Sequence, residues 1–139
     1  MLPSAKRVPE KTDVQEMARP LQILLVEDDP HVRSILKEML HTLGHTCVAV
    51  CGGERAVDVL QARAELDLVI TDYQMPILNG VELIEWMRSV KGSRPVILLS
   101  GYGAAVSERI RARPTAVLGK PVRLKQLEEA LSEAFLHVV

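Results

Sequence analysis

The sequence predicts an α/β fold, a doubly wound parallel sheet of five strands with helices on both faces. Five short apolar runs alternate along the chain with stretches in which apolar residues recur at helical spacing. Three of the runs are near-continuous rather than alternating, which is typical of strands covered on both faces. Because parallel strands are joined by crossovers that cover a face of the sheet, regular alternation of strand and helix favours this architecture.

The five predicted strands are short and aliphatic. They occupy residues 23–26, 46–50, 66–70, 96–99 and 116–118. The first, third and fourth are the near-continuous runs, so we expect helices on both sides of them. Since aromatic residues make up only 3% of the chain, the core must consist of Leu, Ile, Val and Ala.

The first predicted helix has the clearest boundaries. Asp29 and Pro30 supply an N-cap and a preset first turn, and Gly44 supplies the stop. The residues expected on its buried face are Val32, Ile35, Leu36, Met39, Leu40 and Leu43.

Four further helices are predicted from shorter apolar patterns. The residues that mark them, in order, are Ala56, Val57, Val59 and Leu60; Val81, Leu83, Ile84 and Met87; Val106 and Ile110; and Leu124, Leu127, Leu131 and Phe135. The third helix of the chain follows an Asn79-Gly80 turn. The fourth is short and is closed by Pro114.

Length and charge limit the class of protein. We predict a tail or linker over residues 1–20, which hold three prolines, and one domain over residues 21–139. A net charge of −1 argues against a dedicated nucleic-acid or membrane-surface protein. Because the chain has neither a signal peptide nor an apolar run of about 20 residues, a cytoplasmic location is expected.

The cysteines and histidines do not suggest a metal site. Cys47 and Cys51 fit neither a zinc site nor a redox pair, so we predict reduced, partly buried thiols. The four histidines are scattered along the chain without a shared ligand pattern. They are His31, His41, His45 and His137.

Polar residues follow four of the predicted strands, at the edge where ligands bind in open parallel sheets. They are Glu27, Asp28 and Asp29 after the first strand, Thr71 and Asp72 after the third, Ser100 after the fourth and Lys120 after the fifth. Each residue alone is readily explained as a cap, a turn residue or an exposed charge. Together they bring carboxylates, a hydroxyl and an ammonium group to one edge.

This combination of groups suits phosphoryl transfer. Clustered carboxylates repel one another unless a hard cation such as Mg²⁺ lies between them. Aspartate is a nucleophile that forms aspartyl-phosphates. The transferred group then needs neutralising charges and hydrogen-bond donors, which a metal, a lysine and a hydroxyl would supply.

Four segments, ILLVEDDP, LVITDYQMPILNG, VILLSGYG and LGKPV, resemble the signature segments of response-regulator receiver domains of two-component systems. They occur in the family's order between residue 21 and the C-terminus. The resemblance implies the flavodoxin-like receiver fold with strand order 2-1-3-4-5. It also implies Mg²⁺-dependent (or Mn²⁺-dependent) phosphorylation by a phosphohistidine donor, either a histidine kinase or a histidine phosphotransfer protein.

The resemblance also assigns roles by position. The matching residues are Asp72 as phosphoacceptor, Asp28 as direct metal ligand, Glu27 as the acidic partner holding metal-bound water, Gln74 as a ligand through its backbone carbonyl, and Ser100 and Lys120 as phosphoryl contacts. It implies a cis peptide between Lys120 and Pro121. The family further suggests a switching interaction surface and a weak homodimer.

Some features depart from the family pattern. Val117 stands three residues before Lys120, where an aromatic switch residue is usual, which puts the usual coupling to Ser100 in doubt. The segment between Ser100 and Lys120 is slightly short, so its helix is expected to be abbreviated or mobile. Tyr102 is a bulky residue at a position thought to tune water access to the phosphoryl group, and it would slow phosphate loss.

The beginning of the chain suggests one origin. Met1, Leu2 and Pro3, followed by a charged linker, resemble the tail of a histidine-kinase ATP-binding domain, and the SGYG segment is frequent in hybrid-kinase receivers. We therefore favour a receiver from a hybrid kinase over a stand-alone receiver. No nucleic-acid-binding segment is expected.

Two other classes of protein share this predicted architecture. A pseudo-receiver, an interaction module without phosphorylation, would be indicated by loss of an acidic ligand, Asp72 or Lys120, and none is missing. A flavodoxin-like cofactor protein would need a phosphate-binding loop after the first strand. The acidic Glu27, Asp28 and Asp29 there would repel a phosphate.

Overall fold

The structure, a computed structural model, describes residues 19–90, 94–101 and 114–136. The elements within these ranges are β1 Gln22–Val26, α1 Pro30–Thr42, β2 Thr46–Val50, α2 Gly53–Ala62, β3 Leu68–Asp72, α3 Gly80–Ser89, β4 Val96–Ser100, β5 Ala116–Gly119 and α4 Leu124–Phe135. The helix predicted from Val106 and Ile110, the tail up to residue 18, Tyr102 and His137 lie outside them. No helix within these ranges is both long and apolar enough to cross a bilayer.

The sheet confirms the predicted fold class and strand order. All four strand pairings are parallel, and the order is β2-β1-β3-β4-β5. From β1 the chain first moves outward to β2 and then returns to pair β3 on the other side of β1. The winding direction therefore reverses between β1 and β3, and the crevice at their carboxyl ends is where such sheets bind ligands.

Two layers of helices cover the sheet, as the apolar pattern predicts. In β1, Ile23 and Leu25 pack toward α1 and α4, while Leu24 and Val26 pack toward α2 and α3. This alternation follows from the pleat, which turns successive side chains to opposite faces. Strands β3 and β4 are buried along their whole length, whereas the edge strands β2 and β5 are half-buried.

Helix termini follow local rules that the sequence already indicates. The Asp29 carboxylate caps α1 by accepting hydrogen bonds from the N–H groups of His31 and Val32. These bonds hold the pKa of Asp29 below its ordinary value. Gly44 ends the helix in the left-handed conformation, with φ of 89°. Asn79 caps α3 in a capping box with Glu82.

The third strand begins later than predicted. It starts at Leu68 rather than Leu66, and it extends through Asp72. Asp67 explains the delay, because its carboxylate accepts a hydrogen bond from the Gln22 N–H at 2.8 Å and pairs with Arg19. The Asp67 N–H still donates to the Gln22 carbonyl at 2.8 Å, so the side chain replaces only the backbone acceptor of the Gln22 N–H, and Leu66 is buried outside the strand.

Three predictions about burial are wrong. Ile35 and Leu124 are 53% and 39% exposed, although both were expected on buried faces. Leu36 and Leu40 already fill the sheet-facing stripe of α1, and Leu124 is the first residue of α4, at the end of its contact with the sheet. Cys51 is exposed just beyond β2 rather than partly buried.

Cys47 is half-buried in β2, as predicted. Burial raises the pKa of its thiol to about 11. A thiol with so high a pKa stays protonated near neutral pH and behaves as a small apolar side chain.

His45 has a structural role that the sequence does not reveal. It lies between α1 and β2, where its Nδ1 accepts a hydrogen bond from the Leu21 N–H at 2.9 Å. Leu21 is almost fully buried at the entrance to β1. Burial lowers the pKa of His45 below its ordinary value of 6.5. A proton on Nδ1 would also replace the acceptor by a donor facing another donor.

We expect His45 to make stability depend on pH. Below about pH 6.5 the unfolded chain takes up a proton at His45 that the folded chain resists. The free energy of unfolding should therefore fall as the pH is lowered, by less than about 1.4 kcal/mol per pH unit, the limit for one proton. Urea unfolding at pH 7.5 and pH 5.5 would measure the fall.

The matched control is His45→Asn, whose side-chain oxygen can accept the same bond but does not titrate. It should lose less stability than the wild type between the two pH values. Equal losses would contradict the role of His45.

Candidate functional site

The predicted site residues meet at the carboxyl-terminal edge of the sheet. Glu27 follows β1, Asp72 ends β3, Ser100 ends β4 and Lys120 follows β5. Because all the strands are parallel, these positions share one edge. Glu27, Asp72 and Ser100 are buried, whereas Asp28 is exposed.

Three carboxylates form a cluster there. One oxygen from each of Glu27, Asp28 and Asp72 lies within 4.8 Å of the others. They come from the two strands between which the winding direction reverses. The distance along the chain is large, but the pairing of Val26 with Thr71 places these strand ends side by side.

Lys120 supplies the opposing charge. Its Nζ lies 2.7 Å from Oε1 of Glu27 and 3.0 Å from Oδ2 of Asp72. Burial alone would lower the pKa of Lys120, but the hydrogen bonds to the two carboxylates outweigh this effect and raise it. Lys120 therefore remains an ammonium group at neutral pH.

The surroundings of Glu27 disfavour its charged form, mainly because the side chain is buried. Burial raises its pKa, and the nearby Asp72 carboxylate adds to the rise. Hydrogen bonds from Lys120 and from the Asp29 N–H act in the opposite direction. The donor set, three carboxylates in close proximity, consists of the hard oxygen ligands that Mg²⁺ prefers, and a cation there would relieve the remaining repulsion.

The remaining predicted residues surround this cluster. Ser100 is 1% exposed, and its carbonyl accepts the Lys120 N–H at 2.9 Å, which joins the ends of β4 and β5. Gln74 is exposed two residues beyond Asp72 and lines an open cleft of about 450 Å³ with Tyr73 and Met75. The Lys120–Pro121 peptide is cis, as the resemblance implies.

Val117 occupies the position where the family usually has an aromatic residue. It pairs with Leu98 across the two strands and packs, half-buried, against the core beneath α2 and α3. Because valine has no aromatic ring, Val117 cannot move a ring between a buried and an exposed position, as an aromatic residue can.

A tight turn follows the acidic strand end. The Leu78 N–H donates to the Pro76 carbonyl at 2.8 Å, which closes a three-residue turn around Ile77. Ile77 has φ of 72° and is 82% exposed. A β-branched residue in this region of backbone space is strained.

The roles of two residues at the site cannot be predicted from the pattern of apolar residues in the sequence. A Cβ on Gly80 would lie 2.2 Å from the Asp72 carbonyl oxygen, so α3 approaches β3 as only glycine allows. Arg33 donates from Nη1 to the Glu27 carbonyl at 2.8 Å. The Asn79-Gly80 pair signals a turn but not this close approach, and the sequence holds no comparable signal for Arg33.

Comparison with known proteins places the chain in one domain family. The family model of the response regulator receiver domain matches residues 23–132. The chain is 38% identical over 108 residues to the response regulator protein FleR of Pseudomonas aeruginosa, and 32% identical over 119 residues to the transcriptional regulatory protein GlrR of Escherichia coli. These matches cover 76% and 84% of this chain but only 23% and 26% of the relatives. The chain thus spans about a quarter of their length.

Solved structures give the same result for the fold. The signal receiver domain of an HD domain-containing protein from Pseudomonas fluorescens is 28% identical, with a TM-score of 0.77 and coverage of 86% of this chain and 98% of that one. A response regulator receiver domain protein from Clostridium thermocellum is 22% identical, with a TM-score of 0.78 and coverage of 84% and 95%. The latter likeness concerns the fold alone.

We predict that Gly80→Ala damages both stability and the site. The added Cβ would meet the backbone of β3, which cannot turn away as a side chain would. The free energy of unfolding should fall by about 1–3 kcal/mol, the usual effect of overpacking. Urea denaturation would measure it.

Gly52→Ala is the matched control, since a Cβ there meets nothing within 4 Å. It should change stability by less than about 1 kcal/mol, through the weaker N-cap alone. A Gly80→Ala chain as stable as the wild type would show that α3 can move away from Asp72 without cost.

Proposed function

Because this chain belongs to the response regulator receiver family, we propose that it accepts a phosphoryl group at Asp72 from a phosphohistidine donor. The observation that carries the proposal is the convergence of Lys120 and three carboxylates on the end of β3. In this proposal, phosphorylation switches the surface through which the domain contacts its partners.

Asp72 is the nucleophile. An oxygen of its carboxylate attacks the phosphorus, a P–O bond forms, and the P–N bond to the donor imidazole breaks. The imidazole nitrogen leaves with the electron pair and later takes up a proton. Asp72 is 6% exposed and is the last residue of β3. The donor therefore reaches its carboxylate from the edge of the sheet, while the Asp72 backbone stays in the strand.

Lys120 and Ser100 serve the transferred group. The Lys120 ammonium, 3.0 Å from Asp72, neutralises charge on a phosphoryl oxygen once the carboxylate is phosphorylated. Ser100 ends the neighbouring strand and offers a hydroxyl from the same edge. Lys120 is held by Glu27 and Asp72 before the donor arrives, as transition-state stabilisation requires.

Asp28, Glu27 and Asp72, with the backbone carbonyl of Gln74, would hold the Mg²⁺ or Mn²⁺ ion. When bound, the ion supplies positive charge to the phosphoryl oxygens. Asp28 is the exposed carboxylate of the set, so it serves as a direct ligand facing the solvent. Glu27 is buried and bonded to Lys120, which suits contact through a metal-bound water.

The partners follow from this chemistry. The donor is a histidine kinase or a histidine phosphotransfer protein in the cytoplasm, and residues 21–139 form the receiver behind a linker of residues 1–20. The domain itself binds neither nucleic acid nor membrane, and it self-associates at most weakly. Because Val117 has no ring, rotation of an aromatic side chain at this position does not carry the signal from Asp72.

Phosphorylation should depend on Asp72. Incubation of the wild-type chain with Mg²⁺ and acetyl phosphate should add the mass of one phosphoryl group, and Asp72→Asn should add none because the amide is not a nucleophile. Intact-protein mass spectrometry would measure both. Beryllofluoride should likewise occupy the wild-type site only in the presence of Mg²⁺.

Asp58→Asn is the control, because Asp58 is an exposed carboxylate on α2. It should be modified as the wild type is. An unmodified wild-type chain would favour the alternative of a pseudo-receiver that acts as an interaction module.

Lys120→Gln should slow phosphoryl transfer by about a hundredfold, the usual effect of losing one transition-state donor. Its Mg²⁺ affinity should not weaken, because the substitution removes a positive charge that repels the cation. Rates with acetyl phosphate and calorimetric Mg²⁺ titrations would separate the two effects. Lys125→Gln, at an exposed position of α4, should behave as the wild type. Unchanged transfer by Lys120→Gln would remove Lys120 from the mechanism.

A further inference from the structure

We propose that Arg33 is a positioning residue that sets the Mg²⁺ affinity of the site, by holding the backbone turn that presents Glu27 and Asp28. The inference rests on the proposed function, since it concerns the same metal site. Arg33 is not a ligand and does not reach the transferred group in this proposal. It affects the positions of the two carboxylates by contacting the main chain that carries them.

The contacts place the Arg33 guanidinium against that main chain. Its Nη1 lies 2.8 Å from the carbonyl oxygen of Glu27 and 3.5 Å from that of Asp28. Arg33 begins the hydrogen-bonded ladder of α1, because its N–H donates to the Asp29 carbonyl at 2.9 Å. Side chains of a helix point toward its N-terminus, so the one at this position folds back over the turn.

Glu27 needs such a partner because it is completely buried just beyond β1. Its N–H donates to the Val50 carbonyl at 3.1 Å, Oε1 pairs with Lys120, and Oε2 accepts the Asp29 N–H at 3.2 Å. The carbonyl oxygen is the remaining polar atom, and Arg33 is its donor. A buried carbonyl that loses its partner is costly, so the peptide would rotate to find another.

Rotation of that peptide would move the ligands. The peptide after Glu27 joins it to Asp28, and the two carboxylates lie on either side of it. Mg²⁺ demands near-ideal octahedral geometry, so its affinity is sensitive to small displacements of its ligands. Loss of a group that orients metal ligands usually weakens binding by 10- to 100-fold.

A purely electrostatic role predicts the opposite sign. The guanidinium is a cation near the metal site, and its removal would then tighten Mg²⁺ binding. A purely structural role would lower stability and leave the Mg²⁺ affinity unchanged. The direction of the change in affinity therefore distinguishes positioning from both of these roles.

The test is a calorimetric titration of the full chain with MgCl₂ alone, for the wild type, Arg33→Met and Arg33→Lys. Methionine keeps much of the length of the side chain but neither charge nor donor, and lysine keeps both. We expect Arg33→Met to bind Mg²⁺ at least about tenfold more weakly. Arg33→Lys should bind at least about threefold more tightly than Arg33→Met, as expected if it restores part of the carbonyl contact.

Arg55→Met, at an exposed position of α2, is the matched control and should bind as the wild type does. Urea unfolding in EDTA shows whether each variant is folded at the titration temperature. An Arg33→Met chain that binds Mg²⁺ as tightly as the wild type, or more tightly, overturns the inference. Equal weakening of Arg33→Lys and Arg33→Met also overturns it.

The mass assay for phosphorylation keeps this result separate from the proposed function. A wild-type chain that binds Mg²⁺ but accepts no phosphoryl group contradicts the proposed function alone, and weaker binding by Arg33→Met would still support the role of Arg33. A wild-type chain that is phosphorylated normally, with unchanged Mg²⁺ affinity in Arg33→Met, contradicts the role of Arg33 alone.

Discussion

The interaction on which the site depends is the contact of one ammonium group with two carboxylates at the end of the sheet. Lys120 lies 2.7 Å from Glu27 and 3.0 Å from Asp72, and both carboxylates are buried. Buried charges persist only when they are paired, and removal of one partner leaves the other uncompensated. Because Lys120 follows β5 while its partners follow β1 and end β3, this contact requires β1, β3, β4 and β5 to be in register.

The fold supports that contact with several local devices. Asp29 fixes the start of α1, and Arg33 holds the carbonyls of the turn before it. Gly80 lets α3 lie against the Asp72 carbonyl, and the strained turn at Ile77 carries the chain between them. Each device fixes the backbone that carries a carboxylate or lies beside it. Preorganisation of this kind is what phosphoryl transfer uses.

Much of the architecture could be predicted from local patterns. Near-continuous apolar runs identified the buried strands, and the caps at Asp29 and Gly44 fixed both ends of α1. Errors arose where a contact distant in sequence replaced a local preference. The Asp67 side chain delays the start of β3 through Gln22 and Arg19. Ile35 falls at helical spacing with the buried residues of α1 but remains exposed. Helical periodicity indicates which way a side chain points, but it does not indicate how wide the buried face of the helix is.

For the site, the sequence by itself determined which residues stand at the ends of the strands, and hence which chemistry gathers at one edge. That follows because a strand end is a local property and parallel strands share an edge. Only the tertiary structure decided that Lys120 contacts Glu27 as well as Asp72, that Glu27 is buried while Asp28 is exposed, and that Arg33 holds their backbone. Distances and burial depend on how β1, β3 and β5 lie against one another, and no local pattern encodes that packing.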